Sequence, residues 1–76
     1  MSTPQLAALL ADLRGRYAVP RKKAADALVQ IGAPAVPALI ETLQHKNPEA
    51  QEAAADALTR IATPEALAAV ELWKKD

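Results

Sequence analysis

Nucleophilic catalysis needs a serine, cysteine or threonine held beside a base, and this chain of 76 residues has no cysteine and a single histidine. Ser2 stands at the terminus, Thr3 and Thr63 each precede a proline, and Thr42 and Thr59 fall inside stretches of helical spacing. His45 cannot make a metal cluster alone, and as a general base it would need an orienting partner. At the end of a helical stretch, its imidazole is expected to interact with the helix C-terminus. Two glycines seventeen residues apart make no phosphate-cradling loop. These residues describe a non-catalytic protein with no metal and no cofactor.

Charge offers more. Arg14, Arg16, Arg21, Lys22 and Lys23 hold five of the nine positive charges, and no acid lies among positions 14 to 23. Such a segment suits an acidic protein surface or a phosphate. Nine acidic residues balance the nine basic ones, so no overall field steers the chain onto a polyanion. Tyr17 is the only aromatic near the segment that could stack on a base. Another protein is therefore the expected partner, and nucleic acid is disfavoured. No apolar run approaches the eighteen or so residues of a membrane span, and Met1 to Leu13 has no basic region ahead of its apolar residues. The chain is expected to be cytoplasmic.

Nineteen alanines, ten leucines and no phenylalanine indicate a core of small residues with leucine as filler, and both are strong helix formers. Their order is periodic. Ala24-Ala25-Asp26-Ala27-Leu28-Val29-Gln30-Ile31 returns thirty residues later as Ala54-Ala55-Asp56-Ala57-Leu58-Thr59-Arg60-Ile61, with six of eight positions identical. The same offset relates Pro4, Pro34 and Pro64. After each of these prolines comes helical spacing: Leu6, Leu9, Leu10, Leu13; then Val36, Leu39, Ile40, Leu43; then Ala66, Ala69, Val70, Trp73. Two further amphipathic helices lie between, through Ala24, Ala27, Leu28, Ile31 and Ala54, Ala57, Leu58, Ile61. The predicted order is B-A-B-A-B, where A and B are the two helix types, and residues 1–76 form a single domain.

Thr3-Pro4, Asn47-Pro48 and Thr63-Pro64 each offer a capping oxygen followed by proline at the first helical position. Breaks at Gly15 and at Gly32-Ala33-Pro34 leave turns of a few residues, which make neighbouring helices antiparallel. Pro37 removes the first intrahelical hydrogen bond of its helix, which is expected to start loosely or late.

Arg21, Ala24-Ala25, Ala27-Leu28, Ile31-Gly32 and Pro34-Ala35-Val36-Pro37-Ala38-Leu39-Ile40 resemble HEAT-like repeats, in particular the short-period class of phycobilisome bilin lyases. The resemblance spans about residues 20 to 71 and implies an all-α fold, a short α-solenoid of about two and a half helix-pair repeats. In the second copy Gln51 replaces the family's arginine and Ala62 its glycine, and the loop aspartate that such an arginine often meets is not evident. That speaks against a ladder of charges between repeats.

The resemblance implies an interaction or scaffold module whose B helices offer Gln5, Ala8, Asp12, Ala38, Glu41, Thr42, Ala68 and Glu71 on the concave side. A basic first turn at Arg21 to Lys23 opposes the helix dipole, which allows a role for Arg14 to Lys23 in contacting an acidic protein surface or a phosphate, nucleic acid included; the favoured reading is that Arg21 is a structural position of the family and the rest a solvated face. In the last helix Leu67 and Leu72 stand where Pro37 and Thr42 stood one repeat earlier, which widens the apolar sector. Leu67, Leu72 and Trp73 are thus a candidate self-association edge for a homodimer, unless Trp73 simply folds over the open end. An accessory role beside bilin lyases is implied by the resemblance alone.

Overall fold

Helix-forming alanine and leucine, interrupted only at the expected breakers, give five α-helices in the computed structural model, which describes residues 3–75, with side chains from Leu6 onward. They are α1 (Thr3–Leu13), α2 (Ala18–Ile31), α3 (Val36–Thr42), α4 (Pro48–Ile61) and α5 (Pro64–Lys75), with a short 3-10 turn over Ala33–Ala35 ahead of α3. The described residues contain no strand. The all-α, B-A-B-A-B arrangement is what the repeat predicts.

The capping chemistry is in place where the side chains are described. Asn47 Oδ1 accepts the backbone N–H of Glu49 at 3.0 Å, and Thr63 Oγ1 accepts that of Ala66 at 3.1 Å. The cap expected at Thr3 lies outside the described side chains. At the other ends the two A helices stop at equivalent positions with positive φ: Gly32 at φ 80° after α2 and Ala62 at φ 62° after α4. Each donates its N–H to the carbonyl four residues back, Leu28 and Leu58 respectively. Pro37 acts as expected. With no N–H at that position, the first turn closes through shorter bonds, Ala35 N–H to Gly32 O and Val36 N–H to Ala33 O, and α-helix begins only at Val36.

Helices α2 and α4 pack side by side, α1 lies on α2, and α3 and α5 lie on α4 and touch each other. Alanine makes the close approach possible: Ala24, Ala25, Ala54, Ala55 and Ala57 are all buried, while Leu13, Leu28, Leu39 and Leu58 fill the core with no exposed surface. Because α1 also reaches α4, that helix packs against all four others. The radius of gyration is 11.1 Å, against about 11.4 Å expected of a globule of this length. Two and a half repeats make a short, flattened body of 30 × 25 × 16 Å, not an elongated spiral.

Candidate functional site

The residues with catalytic potential are engaged in structure. His45 Nδ1 accepts the N–H of Asn47 at 3.2 Å, so the ring orders the α3–α4 turn and does not sit on the carbonyls that end α3. Its own backbone carbonyl receives the side-chain amide of Gln51. Asp26 and Asp56 share a partner: Arg60 Nη1 lies 2.8 Å from Asp26 and 3.6 Å from Asp56. The Arg60 hydrogen bond, outweighing partial desolvation, holds the Asp26 carboxyl below its ordinary range. Among the described residues no group of three or more His, Cys, Asp or Glu side chains gathers to hold a metal ion.

The basic segment divides in two. Arg14 turns inward, its Nε and Nη2 donating to Thr42 Oγ1 at 3.2 and 3.0 Å, which ties the end of α1 to the end of α3. Arg21 closes its own turn by donating to Gly15 O at 3.2 Å and reaches across to Glu49 at the start of α4. Its Nε is buried with no hydrogen-bond partner among the described residues. Gln51, one repeat later, performs the equivalent service for the carbonyl of His45, six residues back, as Arg21 does for Gly15. Arg21 therefore does structural work, and of the five basic residues of the segment only Arg16, Lys22 and Lys23 are exposed. Charges do bridge the repeats, contrary to the expectation from Gln51: Arg21–Glu49 and Asp26–Arg60 both join α2 to α4. The bridging partners are residues of the helices themselves, so no loop aspartate is required.

At the far end of the stack, the ends of α3 and α5 and the start of α4 enclose an open hollow of about 560 Å³ lined by Leu43, Gln44, Gln51, Trp73 and Lys74. A smaller depression of about 130 Å³ continues it along Ile40, Ala69 and Leu72. Trp73 is half-buried, packs on the core and lines the hollow. Leu72 is 68% exposed on the wall. Leu67, 42% exposed, is not among the lining residues. Five residues along a helix turn it about 140° away from Leu72.

Helix pairs at a thirty-residue period, packed in this way, can be compared with known families. The family described as HEAT repeats matches residues 3–76. The chain belongs to the HEAT-repeat family. Neither the curated proteins nor the solved structures contain a match to it.

In this HEAT-repeat chain the B-helix surface differs from the expected set at one residue. Ala8, Asp12, Glu41, Ala68 and Glu71 are exposed and Ala38 is partly so, but Thr42 has no exposed surface. Its hydroxyl accepts twice from Arg14 and donates to Ala38 O at 3.0 Å, which exhausts its bonding capacity. Gln5 lies outside the described side chains. Of the residues lining the hollow and its continuation, sequence reasoning singled out Leu72 and Trp73 as a candidate edge, and did not single out Ile40, Leu43, Gln44, Gln51, Ala69 and Lys74. Their signal was available: antiparallel helices bring the end of each B helix beside the start of the next A helix.

Proposed function

We propose that this HEAT-repeat chain is a non-catalytic protein-interaction module whose binding surface is the hollow formed by the ends of α3, α4 and α5. HEAT repeats are commonly interaction scaffolds. The observation that carries the reading here is the hollow itself, with aromatic Trp73 beside the apolar wall of Ile40, Leu43 and Leu72 and polar Gln44, Gln51 and Lys74 on its margin. A concave site in which apolar Leu43 and Trp73 stand beside polar Gln44, Gln51 and Lys74 can take an amphipathic side chain of a partner. Selection of binders from a displayed peptide library tests it. Binders should change the emission of Trp73, the only tryptophan, and should lose affinity for Leu72→Lys. Binders that ignore that substitution place the site elsewhere.

A second copy is one candidate occupant, favoured by the exposure of Leu72 and Leu67. Light scattering that finds a monomer at tens of micromolar, unaffected by Leu72→Lys, removes this version. Nucleic-acid binding through residues 14–23 has less support, because Arg14 and Arg21 are committed internally. An accessory role beside bilin lyases rests on the resemblance of Ile31-Gly32 and Pro34 to Ile40 to that class, and a pigment-attachment assay addresses it.

A further inference from the structure

His45 is the one histidine of the chain, and an imidazole is the side chain whose ordinary change of charge falls between about pH 5 and 8. It sits half-buried in the α3–α4 turn with its ring on the main chain, Nδ1 accepting the N–H of Asn47 at 3.2 Å. That bond requires the neutral ring with its proton on Nε2, because the cation donates from both nitrogens and Nδ1 then has no lone pair to offer. What the ring holds forms a closed circuit. Asn47 caps α4 through Oδ1, which accepts the N–H of Glu49 at 3.0 Å; α4 carries Gln51; and the Gln51 side-chain amide returns to His45 O. Gln51 lines the hollow, as do Leu43 and Gln44 just ahead of His45. The turn therefore joins the protonatable ring to three of the five lining residues.

We infer that the α3–α4 turn is a proton switch for the hollow: the neutral ring of His45 holds the hollow in the shape described, and protonation releases Asn47 and with it Gln44 and Gln51. The second position of the ring is set by α3, whose C-terminal carbonyls favour a cation, so the protonated imidazole turns from the Asn47 N–H toward the end of that helix. Around the turn, α3 carries Glu41 and the turn itself Lys46, while α4 brings Glu49 and Glu52. The end of α1 brings Asp12, Arg14 and Arg16, the start of α2 Arg21, Lys22 and Lys23, and the end of α5 Glu71, Lys74 and Lys75. Among the described residues none of these pairs with the His45 ring, whose one hydrogen bond is that to Asn47. Carboxylate, ammonium and guanidinium groups ordinarily keep their charge between about pH 5 and 8, so they set a constant field and the ring is the side chain that changes. Resting on the reading of the hollow as the binding surface, the switch adds that an occupant is held while His45 is neutral and released as the ring gains its proton.

Nitrogen NMR of the full chain, taken from about pH 8 to about pH 5, tests the inference. At the upper end His45 should be the Nε2–H tautomer. As the ring gains its proton, the Asn47 amide, the Gln51 side-chain amide and the Trp73 indole should shift in step with it. His45→Asn keeps an oxygen able to accept the N–H two residues on and has no proton to gain, so in that variant the same signals should stay in place. His45→Leu removes the acceptor, and its Asn47 and Gln51 signals should lie near their acid positions throughout. An end-blocked peptide without ionisable side chains, selected from the displayed library at the upper pH, should bind the wild type about threefold or more weakly at the lower pH and His45→Asn equally at both. A ring that titrates while Asn47 and Gln51 stay in place, an Nδ1–H tautomer at the upper pH, or the same shifts in His45→Asn overturns the switch and leaves the hollow as a site. Shifts confined to the turn, with Trp73 unmoved or the peptide affinity unchanged, overturn its link to the hollow. Failure to select any peptide counts against the hollow as a binding surface, while the shifts of Asn47, Gln51 and Trp73 still decide the switch.

Discussion

Replacing Thr42 with valine keeps the shape of the side chain and removes its hydroxyl, and with it both the bond between the ends of α1 and α3 and the bond to Ala38 O, so a double-variant cycle with Arg14 is needed to isolate the first. Thr42 is fully buried, and its oxygen accepts from Arg14 Nε and Nη2 at 3.2 and 3.0 Å. A hydrogen bond to a charged group contributes about 1.5–3 kcal/mol. Arg14 is only half-buried, so water recovers part of its solvation, and a loss of about 1–2 kcal/mol is expected. For a chain of this size that lowers the melting temperature by roughly 5–15 °C. The assay is urea unfolding of the wild type, Thr42→Val, Arg14→Met and the double variant, because methionine preserves the apolar stem of the arginine. A coupling energy of about 1 kcal/mol or more is expected between the two sites; one below about 0.3 kcal/mol, within the usual additivity error, refutes the claim that Arg14 is held in structure. It would also return Arg14 to the set of cations free to meet a partner.

Ala62 occupies the left-handed region at the end of α4 where the first repeat has glycine, so Ala62→Gly should stabilise by about 0.5–1 kcal/mol, the relief of strain being partly offset by the greater freedom of unfolded glycine. Gly32→Ala should cost about 1–3 kcal/mol through backbone strain alone, since a Cβ there meets nothing within 4 Å. Thermal denaturation followed by circular dichroism checks both, and a lower melting temperature for Ala62→Gly contradicts the first. Asp26 is held below its ordinary pKa chiefly by the Arg60 hydrogen bond. A carboxyl depressed in the folded state binds protons more readily when unfolded, so its contribution is fully present above pH about 4 and is lost as pH falls through the folded value. In Asp26→Asn the fall in stability below pH about 4 should be shallower, and carbon NMR titration of Asp26 with a midpoint at or above the ordinary carboxyl value defeats the argument.

The fold could be read from the chain because helix propensity, the thirty-residue period and capping side chains all point to the same five elements. Asn47 and Thr63 cap where their spacing says they should. The site was only partly legible. Thr42 aligns by repeat with exposed Leu72, yet it is buried because Arg14, 28 positions away, brings it a partner; no local pattern contains that contact. The separation of Leu67 from Leu72 needed only helical arithmetic. The grouping of Leu43, Gln51 and Trp73 around one hollow needed the antiparallel order to be followed to its ends, since they stand on three different helix ends and are unremarkable singly.

Longer arrays of helix pairs unfold piecemeal, because each unit touches only its neighbours and stability is close to a sum of local terms. Helix α4 breaks that independence here by touching every other helix. Loosening α1 exposes part of α4, which weakens the support of α3 and α5, so damage at one end is felt at the other. The chain is written as a modular polymer and is expected to melt as an all-or-none globule. Its two A helices cannot be exchanged like links: α4 is the keystone, and α2 is not.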